Sequence, residues 1–404
     1  TTKPAQPAQP AKPAQPAAQA GGSGSRLPDM TYTEQETELR AAVRSVLEDK
    51  AAAAAVLART ETPDTYDAAL WRILAAEIGC AGLLIPASYG GAGASFREAA
   101  VVAEEIGRCV APVPFLGSAV IATVALLAID DGELLTKLAT GTTTAALAVP
   151  FDSVPGMRFE PTVKIGVAAS DDPDGTYRLS GSVLGVADAL PADVLIVPAD
   201  GVPVGLYAVS AQAAGGGVVR TPVTSLDMTR QLCDLTLENV PARRLAGGPV
   251  AQAALAAALR AGAGILAAEQ LGLAERALDI TLAYAKQRYQ FARPIGSFQA
   301  LKHRFADWWV AVTQARAASR YAAACLAGDD QDVAVAVALA KAVCSDTAVL
   351  AGQEMVQLHG GIGFTWEHPA HLYLKRAKSS ALALGTADRH RASLADLVNL
   401  PPAP

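Results

Sequence analysis

The segment from Ala251 to Gln287 constrains the chain most, because it reads as one long alanine-rich helix interrupted only by scattered Arg, Glu and Gln. Two further helical runs follow, Phe298 to Ala327 and Val333 to Leu358, with a last segment after Lys378. Helices of this kind bury their faces against one another, with small side chains at the contacts. Phe298, Leu301, Phe305, Trp308, Trp309 and Val312 fall mainly on one face of the second run, and the Trp308-Trp309 pair is expected in the core. Residues 249–404 therefore predict a C-terminal four-helix bundle.

Upstream, Thr33-x-x-Glu36 reads as a capping box opening a helix through Leu39, Val43 and Val46. Leu70, Ile73, Leu74 and Ile78 continue at helical spacing until Gly79 to Gly82. The glycine-rich P-A-S-Y-G-G-A-G-A at Pro86 to Ala94 is a loop, and S-F-R-E-A-A-V-V-A-E-E-I-G-R restarts a helix with Phe96, Ala100 and Ile106 on its apolar face. Residues 26–142 thus predict an N-terminal helical domain. Near Thr143 the pattern changes to short runs, V-K-I-G-V-A, Y-R-L-S-G-S-V, V-L-I-V-P and C-D-L-T-L-E, separated by turn clusters such as D-D-P-D-G. That predicts a middle β domain over residues 143–248 and an α+β fold class. Residues 1–25, alternating Pro, Ala, Gln and Lys before G-G-S-G-S, are expected to be a disordered leader with a flexible linker at its end, lacking the apolar centre of a secretory signal.

A chain of 404 residues with 51% hydrophobic and 18% charged residues has enough apolar surface for sizeable cores and for burial between subunits. Its net charge of −6 comes without a basic stripe, which argues against nucleic acid as a partner. The five cysteines, Cys80, Cys109, Cys233, Cys325 and Cys344, are widely spaced and form no C-x-x-C pair, as expected of a reduced, cytoplasmic compartment. No stretch approaches the roughly 20 consecutive apolar residues of a bilayer span, so no membrane partner is expected. His368 and His371 flank Pro369, which disturbs any common helical face, so no metal site is expected.

Two motifs carry chemistry. Y-A-K-Q-R-Y-Q-F-A-R-P-I-G-S-F-Q spans Tyr284 to Gln299, and Q-L-H-G-G-I-G-F spans Gln357 to Phe364. Taken singly, Arg288 could be a surface residue and Gly360-Gly361 a helix end. Taken together, and with P-A-S-Y-G-G-A-G-A and Y-R-L-S-G-S-V-L-G-V-A-D-A-L-P-A-D, they resemble the acyl-CoA dehydrogenase family over about Tyr32 to Leu397. The resemblance implies that Arg288, Phe291, Gln299, Gln357, Gly360, Gly361 and Thr386 contact flavin adenine dinucleotide (FAD) across a subunit boundary. The physical roles agree: a guanidinium and oriented amides hold a pyrophosphate, Phe291 offers an apolar surface, and paired glycines let backbone approach a ligand.

The same resemblance places the family's usual catalytic carboxylate on Leu384, within A-L-A-L-G-T, and the minority alternative on Gly262. Neither side chain can remove a proton, so no catalytic residue is assigned. Glu269, Glu367 and Asp388 are the candidates for a displaced base. Where active members carry a T-E-P-x-x-G-S-D-like loop over the flavin ring, this chain reads A-V-P-F-D-S-V-P-G from Ala148 to Gly156, without the acid, the serine or the final aspartate. Loss of a positioned base costs on the order of 10² to 10⁴ in rate. The pattern resembles the base-lacking subunit of actinobacterial α2β2 heterotetrameric acyl-CoA dehydrogenases, some of which act on steroid side chains. It implies a second acyl-CoA dehydrogenase-like chain and an acyl-CoA as partners. A self-sufficient homotetramer with a displaced base and a non-catalytic acyl-CoA-binding scaffold are the alternative expectations.

Overall fold

Two reciprocal caps set the start of the N-terminal helices. In a computed structural model describing residues 29–62, 64, 66–157, 159–166, 177–200, 204–211, 217–328 and 330–401, the Thr33 hydroxyl accepts from the Glu36 amide (3.1 Å) and the Glu36 carboxylate from the Thr33 amide (2.6 Å). This opens α1 (Glu34–Lys50). The leader expected over residues 1–25 lies outside the described residues. After α2 (Ala53–Thr60) and α3 (Ala68–Arg72) comes a π-helical turn, Ile73–Glu77. Ser95 and Glu98 form a second capping box at the start of α4 (Phe96–Cys109). A wholly buried π-helix, Phe115–Ala122, leads into α5 (Thr123–Leu127), and α6 (Gly132–Ala139) completes the region.

Among the described residues seven strands follow: β1 (Ala145–Leu147), β2 (Val163–Gly166), β3 (Tyr177–Ala187), β4 (Val194–Asp200), β5 (Gly205–Ser210), β6 (Val218–Pro222) and β7 (Leu232–Gly247). They run in the order β1-β4-β2-β3-β7-β5, with β6 on β7, and a further β4–β5 pairing closes the sheet on itself. Alternating residues such as Leu179, Val183, Leu195, Val197, Leu235 and Leu237 fill its interior.

The chain then returns to helix: α7 (Gly248–Gln287), a small hairpin of β8 (Tyr289–Gln290) and β9 (Arg293–Pro294), α8 (Gln299–Gly328), α9 (Val333–His359), α10 (Ala370–Leu382) and α11 (Ala387–Leu397). One core joins these helices to the N-terminal ones. Glycine decides how closely α4 and α7 cross. A Cβ on Gly107 would lie 2.0 Å from the Glu269 carbonyl oxygen, and one on Gly272 would lie 1.9 Å from that of Glu104. All five cysteines are free.

Three expectations need correction. Trp308 is buried, but Trp309 is 58% exposed, because neighbouring residues on a helix point about 100° apart and only one can face the bundle. The last helical segment begins at Ala370, just after Pro369 as its N-cap, and breaks at Ala383 before α11. The helices Gly248–Gln287 and Val333–Phe364 are long and apolar enough to cross a membrane by length and composition. Most of each hydrophobic window is buried within the molecule, as core helices would be.

Candidate functional site

The helix α7 ends at Arg288, whose amide still donates to the Tyr284 carbonyl (2.8 Å) while its carbonyl accepts from Ile295 (2.8 Å). Between them the hairpin pairs Tyr289 with Pro294 and Gln290 with Arg293, leaving Phe291 and Ala292 to make the turn. Both have positive φ, 53° and 59°. A two-residue turn of this kind normally takes Asn-Gly, so the backbone is strained here. The Phe291 ring is 87% exposed, meeting Phe298 edge-on at 6.2 Å, and Arg293 covers the Phe298 ring at 3.9 Å. Arg288 has no ion pair among the described residues. Gln299 opens α8, exposed.

The second motif meets the first through an aromatic stack. Tyr284 lies 4.4 Å from His359, ring to ring, and its hydroxyl donates to the His359 carbonyl (3.4 Å). His359 in turn lies 4.2 Å from His368, ring to ring, at a tilt of 39°. Burial, followed by the charges of His359 and His371, pushes His368 down to about 4. Gln357 is exposed on the last turn of α9, and the helix stops at Gly360, with φ 63° and ψ −138°. A Cβ on Gly360 or Gly361 would meet nothing within 4 Å, so their backbone faces open space. Phe364 (81% exposed) and Trp366 complete an aromatic rim. Five of the predicted residues, Arg288, Phe291, Gln357, Gly360 and Gly361, lie on these two joined helix ends, and Gln299 begins the next helix.

Thr386 stands in a different setting, the linker Ala383–Thr386, where it caps α11 by accepting from the Arg389 amide (3.4 Å). Leu384 in that linker has φ 53° and is buried. Its amide donates to the Phe151 carbonyl (2.7 Å), and its carbonyl accepts from His390 Nε2 (2.8 Å). Beneath it, Lys341 Nζ donates to Ser345 Oγ (2.9 Å), the Ser380 carbonyl (3.0 Å) and the Gly385 carbonyl (3.2 Å). Burial lowers Lys341 to about 7. A Cβ on Gly262 would fall 2.7 Å from Ile121 Cγ1 and 3.1 Å from Leu384 Cδ1. The two positions at which the family resemblance places a base are therefore neighbours, and both are apolar.

The displaced-base candidates are engaged or exposed. Glu269 is buried, with Oε1 and Oε2 at 2.6 and 2.7 Å from Arg230 Nη2 and Oε1 at 2.8 Å from Arg376 Nε. Burial alone would raise its carboxyl, but Arg230 and then Arg376 outweigh it and hold the group below its ordinary value. Arg376 also donates to Thr229 Oγ1 (3.0 Å) and approaches Asp227 (3.6 Å). Glu367 is on the surface, and Asp388, also exposed, pairs with Arg391 (3.0 Å). No group of His, Cys, Asp or Glu that could hold a metal occurs among the described residues. Sequence reasoning missed the Arg230–Glu269–Arg376 triad and Lys341. The available signal for Lys341 was a single charge inside V-A-V-A-V-A-L-A-K-A-V-C.

The comparisons give this geometry a family. Residues 33–132 match the acyl-CoA dehydrogenase N-terminal domain and residues 230–398 the acyl-CoA dehydrogenase C-terminal domain. The chain is 38% identical over 357 residues to acyl-CoA dehydrogenase IpdE2 of Mycobacterium tuberculosis, covering 88% of this chain and 94% of that one. Among solved structures it resembles the Tcur3481-Tcur3483 steroid ACAD (32% identity, 91% and 98% of the chains, TM-score 0.77). It also resembles the ChsE4-ChsE5 complex from Mycobacterium tuberculosis (28% identity, 93% and 100%, TM-score 0.80). The chain belongs to the acyl-CoA dehydrogenase family, FAD-dependent oxidoreductases that act on CH–CH bonds. Its architecture is that family's: an N-terminal helical domain, a middle β-sheet domain and a C-terminal helical domain.

Proposed function

We propose that this chain is the base-lacking subunit of an FAD-dependent, α2β2 acyl-CoA dehydrogenase, completing the flavin site of a second, related chain. The observation that supports the reading is that Gly262 and Leu384, the two positions to which the family resemblance assigns a carboxylate, meet in one apolar contact. A Cβ added to Gly262 would stand only 3.1 Å from Leu384 Cδ1, so the two positions share one apolar contact. Glu269, the nearest buried acid along α7, has both oxygens bonded to arginines.

The outer residues fit the cofactor's far half. Arg288, exposed at a helix end and without an ion pair among the described residues, would neutralise pyrophosphate, with the Gly360-Gly361 backbone close to the ligand and Phe291 against an apolar portion. Gln299 and Gln357 would donate or accept at its polar edges. Bound FAD supplies the hydride acceptor for α,β-dehydrogenation of an acyl-CoA thioester, and the partner chain would supply the base. Assignment of a steroid acyl group draws support from the Tcur3481-Tcur3483 steroid ACAD, and assignment of a two-protein assembly from the ChsE4-ChsE5 complex.

The test is Arg288→Ala in the assembled complex, with flavin content read by absorbance and affinity by titration with FAD. Loss of a charge-assisted contact of about 1.5–3 kcal/mol should weaken FAD roughly 10- to 100-fold while native mass stays unchanged. Full flavin retention would refute the reading.

A further inference from the structure

We infer that the loop Ala148–Gly156 is a plug, with Phe151 holding closed, in this chain's own pocket, the space between the β domain and the Leu384 linker where a flavin ring and thioester would have to lie. The inference rests on the function proposed above and adds the device that keeps this half shut.

Phe151 is held at its carbonyl, its amide and its ring. Its carbonyl accepts from the Leu384 amide at 2.7 Å, which ties the loop to the helical domain, and its amide donates to the Gly185 carbonyl at 3.0 Å, which ties it to β3. Its ring, 8% exposed, lies 5.3 Å from the Arg230 guanidinium. That guanidinium cannot swing away, because Glu269 grips it and Arg376 grips Glu269. Farther along the loop, Val154 Cγ1 lies 3.2 Å from where a Cβ on Gly385 would stand, so the seal extends past Leu384.

Distances decide whether a ligand could share the space. A planar group inserted between two protein surfaces needs two contact distances, roughly 7 Å in all, and here the facing backbone atoms are 2.7 Å apart. The cleft beyond the plug, walled by Pro155, Gly156, Arg260, His390 and Leu397, holds about 120 Å³. Ligand pockets begin at roughly 300 Å³. The ring against Arg230 anchors the loop, so a ligand could enter once the ring is lifted and the loop, no longer anchored, gives up its hydrogen bond to Leu384.

The test counts flavin in the co-purified complex. The wild type should carry one FAD per pair of chains, and Phe151→Gly, which removes the ring and loosens the loop, should raise that count toward two when FAD is supplied. A wild-type count of two, or a count fixed at one in a Phe151→Gly complex of unchanged native mass and circular dichroism, would overturn the plug. Should Phe151→Gly fail to assemble, hydrogen exchange at the Leu384 amide of the wild-type complex decides. Exchange at least 100-fold slower than in an unstructured peptide, unaltered by saturating FAD, is expected; fast exchange overturns the inference. Failure of the underlying reading would appear separately, as flavin retained by Arg288→Ala.

Discussion

Phe291 and Leu384 have the same backbone strain, φ 53° on a residue other than glycine, but Phe291 is 87% exposed and Leu384 only 1%. Such a conformation costs of order 1–3 kcal/mol and persists only where surroundings over-determine it. At Leu384 the chain supplies those surroundings itself: Phe151 and His390 bond its amide and carbonyl, Lys341 anchors the next residue, and Ile121 fills the space beside Gly262. At Phe291 the described residues supply the short β8–β9 pairing on either side of the turn and an edge contact with Phe298. On the proposed function, the outward, strained aromatic beside an exposed arginine meets a partner's cofactor, whereas the Leu384 linker is over-determined by its own chain.

This contrast can be broken first at Glu269. Glu269→Ala would leave Arg230 and Arg376 buried without their shared carboxylate, and loss of one partner from such a pair typically costs about 3–5 kcal/mol. Urea unfolding should record that drop. If Glu269→Gln instead abolished turnover of the complex with stability and flavin intact, the acid would be chemical and the inner pocket functional.

A somewhat smaller effect comes with acid. Burial, helped by the charge on Lys341 and opposed by the bond to the Leu384 carbonyl, pushes His390 from 6.5 down to about 4. Its folded value lies below its unfolded one, so its stabilisation is complete above pH 6.5 and is lost as pH falls through 4. A shift of that size corresponds to on the order of 3 kcal/mol. Thermal melts between about pH 7 and pH 4 should show the slope, and His390→Gln should flatten it; equal slopes would contradict the inner packing described. At the rim, Phe291→Ser and Phe364→Ser should change stability by no more than about 0.5 kcal/mol while lowering flavin content of the complex. A larger melting shift would mean the rim is packed within this chain after all.

Much of the fold is legible in the sequence where local chemistry decides. Thr33-x-x-Glu36 starts a helix because two side chains satisfy two amides, and the long alanine-rich runs suit bundle helices. S-F-R-E carries the same capping signature, and Ser95 and Glu98 form the second box there. Leu384 and Gly262 can be named from the family resemblance, but their contact depends on how α7, the π-helix at Ile121 and the α10–α11 linker converge. The triad is hidden for the same reason: Arg230 lies in the bend before β7, Glu269 on α7 and Arg376 on α10, and no periodicity links them. Trp309 misleads because adjacency in sequence does not mean a shared helical face.

The central claim is that this chain lends a grip to a neighbour's cofactor and holds no working site alone. An absorption spectrum with a native mass, recorded for the chain by itself and co-purified with a second acyl-CoA dehydrogenase-like chain, tests it most directly. The chain alone should be colourless and inert toward an acyl-CoA with an electron acceptor, and the two-chain assembly yellow and active. A yellow, active preparation containing only this polypeptide would contradict the account.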